Sequence, residues 1–142
     1  MSLKNLKTRI KKNEGFSKKP YKDQLGFYTI GYGHLIKKNE KNYFKIKYNK
    51  KHFDNIFKED FEKALKQYQL LFNKKKYKKN EKEMLVEMIF QLGSTRLLKF
   101  KKMLFYLKNK KKYMTCFEMM NSLWYKQTPK RVINIINNFK NN

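Results

Sequence analysis

Acidic residues are scarce at the start of this chain: before Glu40 it carries only Glu14 and Asp23, set among many lysines. Two carboxyl groups on opposite sides of a glycosidic bond can break it. One protonates the leaving oxygen, and the other activates water or attacks carbon. Either residue could equally be a solvated surface acid, the commonest situation for Asp and Glu. The elements around them decide whether both carboxyls reach one place.

Leu3, Leu6 and Ile10 share one face of a first helix, with Ser2 as its N-cap and an end near Asn13-Glu14-Gly15. Glycine suits that end because it accepts a left-handed backbone. Glu14 is therefore expected at a helix C-terminus. From Phe16 to Ile36 the pattern changes: Pro20, Gly26, Gly31 and Gly33 punctuate short runs rich in Tyr, Phe, Thr and Ile. This reads as a small antiparallel sheet, with Asp23 in its first strand–turn region. Gly31 and Gly33 allow the backbone turns there.

Residues 37–49 fit a polar connection or a short helix. Phe53, Ile56, Phe57, Phe61, Ala64, Leu65, Tyr68, Leu71 and Phe72 then recur at three- and four-residue spacing, which predicts a helix of about 20 residues. Asn73 to Lys79 breaks it. Asn80 with Glu83 resembles a capping box, and Met84, Leu85, Met88, Ile89 and Leu92 form an apolar stripe up to Gly93. Short helices are expected at Leu104–Leu107 and Tyr113–Met120. Thr128 and Pro129 open a last helix whose buried face is Val132, Ile135, Ile136 and Phe139.

The 142 residues suit one domain, or one domain in two small lobes. With 40% hydrophobic and 16% aromatic residues the chain is too apolar to be disordered. Lys and Arg number 36 against 11 Asp and Glu, a net charge of +25. Such a field attracts polyanions, whether nucleic acid, an anionic membrane surface or an acidic wall polymer. Only Arg9, Arg96 and Arg131 are arginine, however, and a surplus of Lys and Asn is also what an AT-rich genome produces. Cys116 stands alone, so no intrachain disulfide is expected, and one Cys with His34 and His52 gives no metal-ligand cluster. No cofactor or metal is implied. No secretory signal or membrane span is visible, and no helix-turn-helix or zinc-finger motif.

The run Asn13-Glu14-Gly15-Phe16, then Tyr21-Lys22-Asp23, then Gly26-Phe27-Tyr28-Thr29-Ile30-Gly31-Tyr32-Gly33-His34-Leu35, resembles the N-terminal signature of the phage-type, T4-like lysozymes. Their Glu–eight residues–Asp–five residues–Thr spacing is kept as Glu14, Asp23 and Thr29. Met88-Ile89-Phe90-Gln91-Leu92-Gly93 and Trp124-Tyr125-Lys126-Gln127-Thr128-Pro129-Lys130-Arg131 agree with the family's C-terminal lobe. The resemblance covers most of the chain.

It implies a predominantly helical α+β fold in two lobes. The N-terminal lobe, about 13–50, would hold the sheet and the linking helix would run about 50–72. The C-terminal lobe, about 73–142, would carry the first helix, 2–13, packed on it. It also implies hydrolysis of the β-1,4 bond between N-acetylmuramic acid and N-acetylglucosamine in peptidoglycan. Glu14 looks like the general acid, and a helix C-terminus is a place that favours a protonated carboxyl. Asp23, with Thr29, looks like the group that positions or activates water, direct nucleophilic attack being the alternative. Arg131 would hold the Glu14 side chain, or be an ordinary exposed basic residue. Leu35 and Phe90 match cleft-lining positions, and either could be ordinary core.

This chemistry needs two carboxyls and no imidazole, so His34 reads as structural. It is expected to pair with Asp60 and pin the sheet to the long helix; His52 shows no evident partner. The segment between sheet and long helix is shorter than in the family. Met103 and Glu118 replace small or amide residues near its cleft, so no binding role passes to them. A monomer is expected that acts on glycan strands, is drawn to anionic envelope polymers and starts in the host cytoplasm, reaching the wall after membrane permeabilisation. A basic binding protein without activity and a lytic transglycosylase are the competing readings; retention of Asp23 and Thr29 favours hydrolysis.

Overall fold

Leu6 and Ile10, one helical turn apart, are fully buried and set the inner face of α1 (Lys4–Glu14) in the computed structural model, which describes residues 3–73 and 76–141. Ser2, expected to cap this helix, lies outside the described residues. The helix stops where expected. Gly15 takes φ 71°, and its amide donates to the Lys11 carbonyl at 3.0 Å.

The glycine-punctuated region is a three-stranded antiparallel sheet in the order β1 (Ser17–Lys22), β2 (Tyr28–Gly31), β3 (His34–Leu35). Tyr21 faces Thr29, and Thr29 faces Leu35, so these three side chains share one rung. The register slips between Ser17 and Tyr21, where Pro20 has no amide to give; as an edge strand β1 tolerates this. The polar connection resolves as a 3₁₀ helix, Lys38–Phe44.

The long helix, α2, runs Lys50–Phe72, and the Asn49 side chain accepts from the His52 amide at 3.0 Å to cap it. Phe53, Phe57, Phe61, Ala64, Tyr68 and Phe72 are its buried residues. Its period is the one the sequence predicts.

The chain divides into two compact units, up to Lys63 and from Ala64 on. In the first, Ile30, Tyr43 and Phe53 form a core against which Ile36 and Tyr48 pack. The second is built around α3 (Lys79–Leu92), followed by α4 (Ser94–Leu98), α5 (Lys101–Lys108), α6 (Lys112–Met120), α7 (Leu123–Gln127) and α8 (Pro129–Lys140). The α3 stripe expected on one face proves too narrow: Val86 and the side chains of Glu81, Glu83 and Glu87 are buried as well, so this helix is enclosed on all sides. On α8, Val132, Ile135, Ile136 and Phe139 are buried as the pattern predicts. The fold is α+β and predominantly helical.

Two caps differ from expectation. At α3 the capping carboxylate is Glu81, which accepts from the Lys78 amide at 3.0 Å, two residues before the Asn80/Glu83 pair. Asn80 is buried and donates instead to the Phe139 carbonyl at 2.7 Å. At α8, Thr128 occupies the N-cap position ahead of Pro129 without a side-chain cap. Its hydroxyl bonds the Trp124 carbonyl at 3.2 Å and the Gln91 amide at 3.3 Å.

Candidate active site

Glu14 is the last residue of α1, and the chain reversal at Gly15 leads straight into the sheet. Its half-buried carboxyl lies against Gly33 in the β2–β3 turn. A Cβ at position 33 would stand 2.7 Å from the carboxyl carbon of Glu14 and closer still to Oε2. Only glycine leaves that seat open, and φ 75° suits it there.

Asp23 heads the β1–β2 turn. Its Oδ1 accepts from the amides of Leu25 and Phe27, both at 2.9 Å, while its own amide donates to the Phe27 carbonyl at 2.9 Å. The carboxylate is thereby anchored through Oδ1. Thr29 is buried on β2 and its hydroxyl donates to the Phe27 carbonyl at 3.1 Å, which leaves the oxygen lone pairs as acceptors.

Tyr21, quoted in the sequence only as part of a motif, is the residue that relates the two acids. Burial pushes its phenol up from the ordinary value, and the negative charges of Glu14 and Asp23 push it further. Both carboxylates therefore act on one phenol. Tyr21 stands near the end of β1, two residues before Asp23, and that closeness in the chain was the available signal.

Leu35 is 51% exposed, so it is not a core residue. Phe90 is partly buried on α3 and Arg131 is buried on α8; both belong to the second unit. Arg131 is therefore not an ordinary exposed basic residue. Met103 is core.

His34 is bonded on both nitrogens, Nδ1 to Asp60 at 2.8 Å and Nε2 to the Glu40 carboxylate at 3.1 Å. The pair with Asp60 is the one expected; Glu40 is an addition. Burial opposes the imidazolium, yet hydrogen bonds and charge from Asp60 and then Glu40 outweigh it and hold the His34 pKa above 6.5. β3, the 3₁₀ helix and α2 are joined at this one side chain. His52, read as lacking a partner, shares a 2.8 Å hydrogen bond with the Tyr43 hydroxyl and stacks on Tyr48 at 4.1 Å between ring centroids. Cys116 is buried, and burial raises its thiol pKa. Among the described residues no group of three or more His, Cys, Asp and Glu is placed to hold a metal ion. None of the described helices is long and apolar enough to cross a membrane.

A carboxyl at a helix end and another fixed in the adjoining hairpin are the kind of equipment with which glycoside hydrolases work. Sequence comparison gives the same class. The phage lysozyme family profile matches residues 11–138, and the chain belongs to that family. It is 32% identical to "Probable T4-type lysozyme 2" of Dictyostelium discoideum, over 97% of this chain and 95% of that protein. "Probable T4-type lysozyme 1" of the same organism is 31% identical, over 94% and 92%. The protein is thus a lysozyme, a muramidase-type hydrolase of peptidoglycan.

Proposed function

We propose that this lysozyme cleaves the β-1,4 bond between N-acetylmuramic acid and N-acetylglucosamine, with Glu14 as general acid and Asp23, aided by Thr29, handling the water. The reading rests on one observation: the Glu14 carboxyl lies against Gly33 in the β2–β3 turn while Asp23 is fixed by two backbone amides in the β1–β2 turn of the same small sheet. Glu14 protonates the leaving oxygen. Asp23, held by two backbone amides, presents its remaining oxygen to water and to the positive charge that develops on the sugar. Thr29 orients that water through its hydroxyl oxygen.

In this reading the enzyme is a monomer that serves endolysin-like host lysis. It accumulates in the cytoplasm until the membrane is permeabilised, and its charge of +25 draws it to anionic envelope polymers.

The test is turbidity loss of purified peptidoglycan with wild type and Glu14→Gln at one moderate salt concentration, both confirmed folded by circular dichroism. Clearing by wild type alone supports the assignment; equal clearing by both removes Glu14 from the mechanism. Mass spectrometry of the fragments should find one water added per cleavage. Anhydro sugars, lighter by that water, would replace hydrolysis with transglycosylation.

A further inference from the structure

Helix α6 turns Thr115, Cys116 and Met119 inward, while Tyr113, Phe117 and Met120 follow one another at helical spacing on its outer side. Tyr113 is 76% exposed, Phe117 56% and Met120 45%; Met114 flanks them, and Leu123, 64% exposed, follows at the start of α7. Five large apolar side chains thus lie open within eleven residues. Single exposed apolar side chains are ordinary, but a contiguous run of them is not.

The charge around the stripe is one-sided. From Ala64 onward the sequence has 19 Lys and Arg against four acids, Glu81, Glu83, Glu87 and Glu118. The first three are buried on α3, and Lys110 bonds both oxygens of Glu81 at 2.9 Å. Glu118, on the flank of the stripe beside Met114, is the one acid of this unit that is not buried. Lys108, Lys111 and Lys112 stand exposed at one end, Lys126 and Lys130 at the other.

We propose that α6 and the start of α7 form a docking surface for an anionic lipid bilayer, lying in the plane of its headgroups. A soluble polyanion would neutralise the lysines but leave Tyr113, Phe117 and Leu123 in water. A bilayer interface satisfies both, taking aromatic and aliphatic side chains below the headgroups while lysines pair with lipid phosphates. With nine residues α6 is too short to span, so the helix lies on the membrane. The proposal is independent of the catalytic assignment, since none of these residues belongs to it.

The test is co-sedimentation of the full chain with phosphatidylcholine vesicles, with and without phosphatidylglycerol, at low and high salt. Wild type should bind the anionic vesicles and keep part of that binding at high salt, where attraction by charge alone is screened. Phe117→Ser with Leu123→Ser should weaken binding about tenfold and abolish the salt-resistant part, with wall-clearing activity reporting that the variant is folded. Phe117→Trp should bind as wild type does and shift its emission to the blue on vesicles. Equal binding by the serine variant at both salts, or no shift for the tryptophan variant, would overturn the proposal. So would wild type failing to bind anionic vesicles, and the stripe would then fit a protein partner.

Discussion

The Glu14 carboxyl occupies the space in which a side chain at Gly33 would begin. Any Cβ at position 33 must displace either the acid or the β2–β3 turn. Gly26 offers a control: it too has a positive φ, 84°, but a Cβ there meets nothing within 4 Å. Gly33→Ala and Gly26→Ala should each lose about 1 kcal/mol to backbone strain. Only Gly33→Ala should also lose most of its wall-clearing rate, measured on folded protein below both melting temperatures. Equal activities would mean that the Glu14 position is immaterial to the reaction.

The shape and the charge of Asp23 can be tested separately. Asp23→Asn keeps an oxygen able to accept from the Leu25 and Phe27 amides, so the turn should survive with little change in melting temperature. The rate should still fall by about 100-fold or more, because an amide neither deprotonates water nor steadies a cationic transition state. Asp23→Ala should lose the same activity and also about 1 kcal/mol of stability. Near-normal activity in Asp23→Asn would rule the carboxylate out of the chemistry.

His34, Asp60 and Glu40 predict a pH window for stability. The His34 pKa is raised above 6.5 in the folded state, so the stability it supplies is full below about 6.5 and is lost as pH rises through the raised value. Glu40 is more exposed. Burial pushes its pKa up, but the Lys37 amide and His34 prevail and bring it below 4.5. Its contribution is present above about 4.5 and fades as pH falls through the lowered value. Asp60→Asn should therefore cost most between these limits, about 1–2 kcal/mol, and less at alkaline pH. Activity of the folded variant should be retained. A deficit that does not vary with pH in thermal melts would argue against a charged His34.

The helices that repeat a buried position many times, α1, α2, α3 and α8, were legible from spacing. The five-residue α4 and α7 hold too few turns to show a period. The α3 cap shows where local pattern reaches its limit. Lys78–Glu81 and Asn80–Glu83 have the same spacing, and the choice between them depends on the Phe139 carbonyl, far away in sequence, which takes Asn80. The candidate site divides in the same way. Glu14, Asp23, Thr29 and the His34–Asp60 pair follow from motif and residue type. The seat at Gly33, the position of Tyr21 and the Glu40 bond depend on how the sheet, α1 and the 3₁₀ helix meet.

Asn80 supplies its own test. Asn80→Ala leaves the buried Phe139 carbonyl without its donor and should cost about 1–2 kcal/mol, a drop of a few degrees in melting temperature. Asn80→Asp should be worse at neutral pH, since it sets a buried carboxylate against that carbonyl oxygen. A loss in Asn80→Ala with none in Asn80→Asp would place the real cap at Asn80 after all, because Asn and Asp cap equally well; no change in either would leave the Phe139 bond without weight.

The charge of +25 should act on targeting and leave bond cleavage alone. Screening shortens from about 8 Å at physiological salt to about 3 Å at 1 M, which removes attraction between a lysine-rich surface and an anionic wall. In the proposed mechanism the two carboxyls act on substrate at contact distance, where added salt matters little. Clearing of intact walls should therefore slow steeply with salt, while hydrolysis of short soluble glycan fragments stays nearly constant. If both reactions slowed in parallel, salt would be acting on the site itself. If neither slowed, the lysines would be no more than a feature of composition, and wall binding would rest on contacts with the glycan alone.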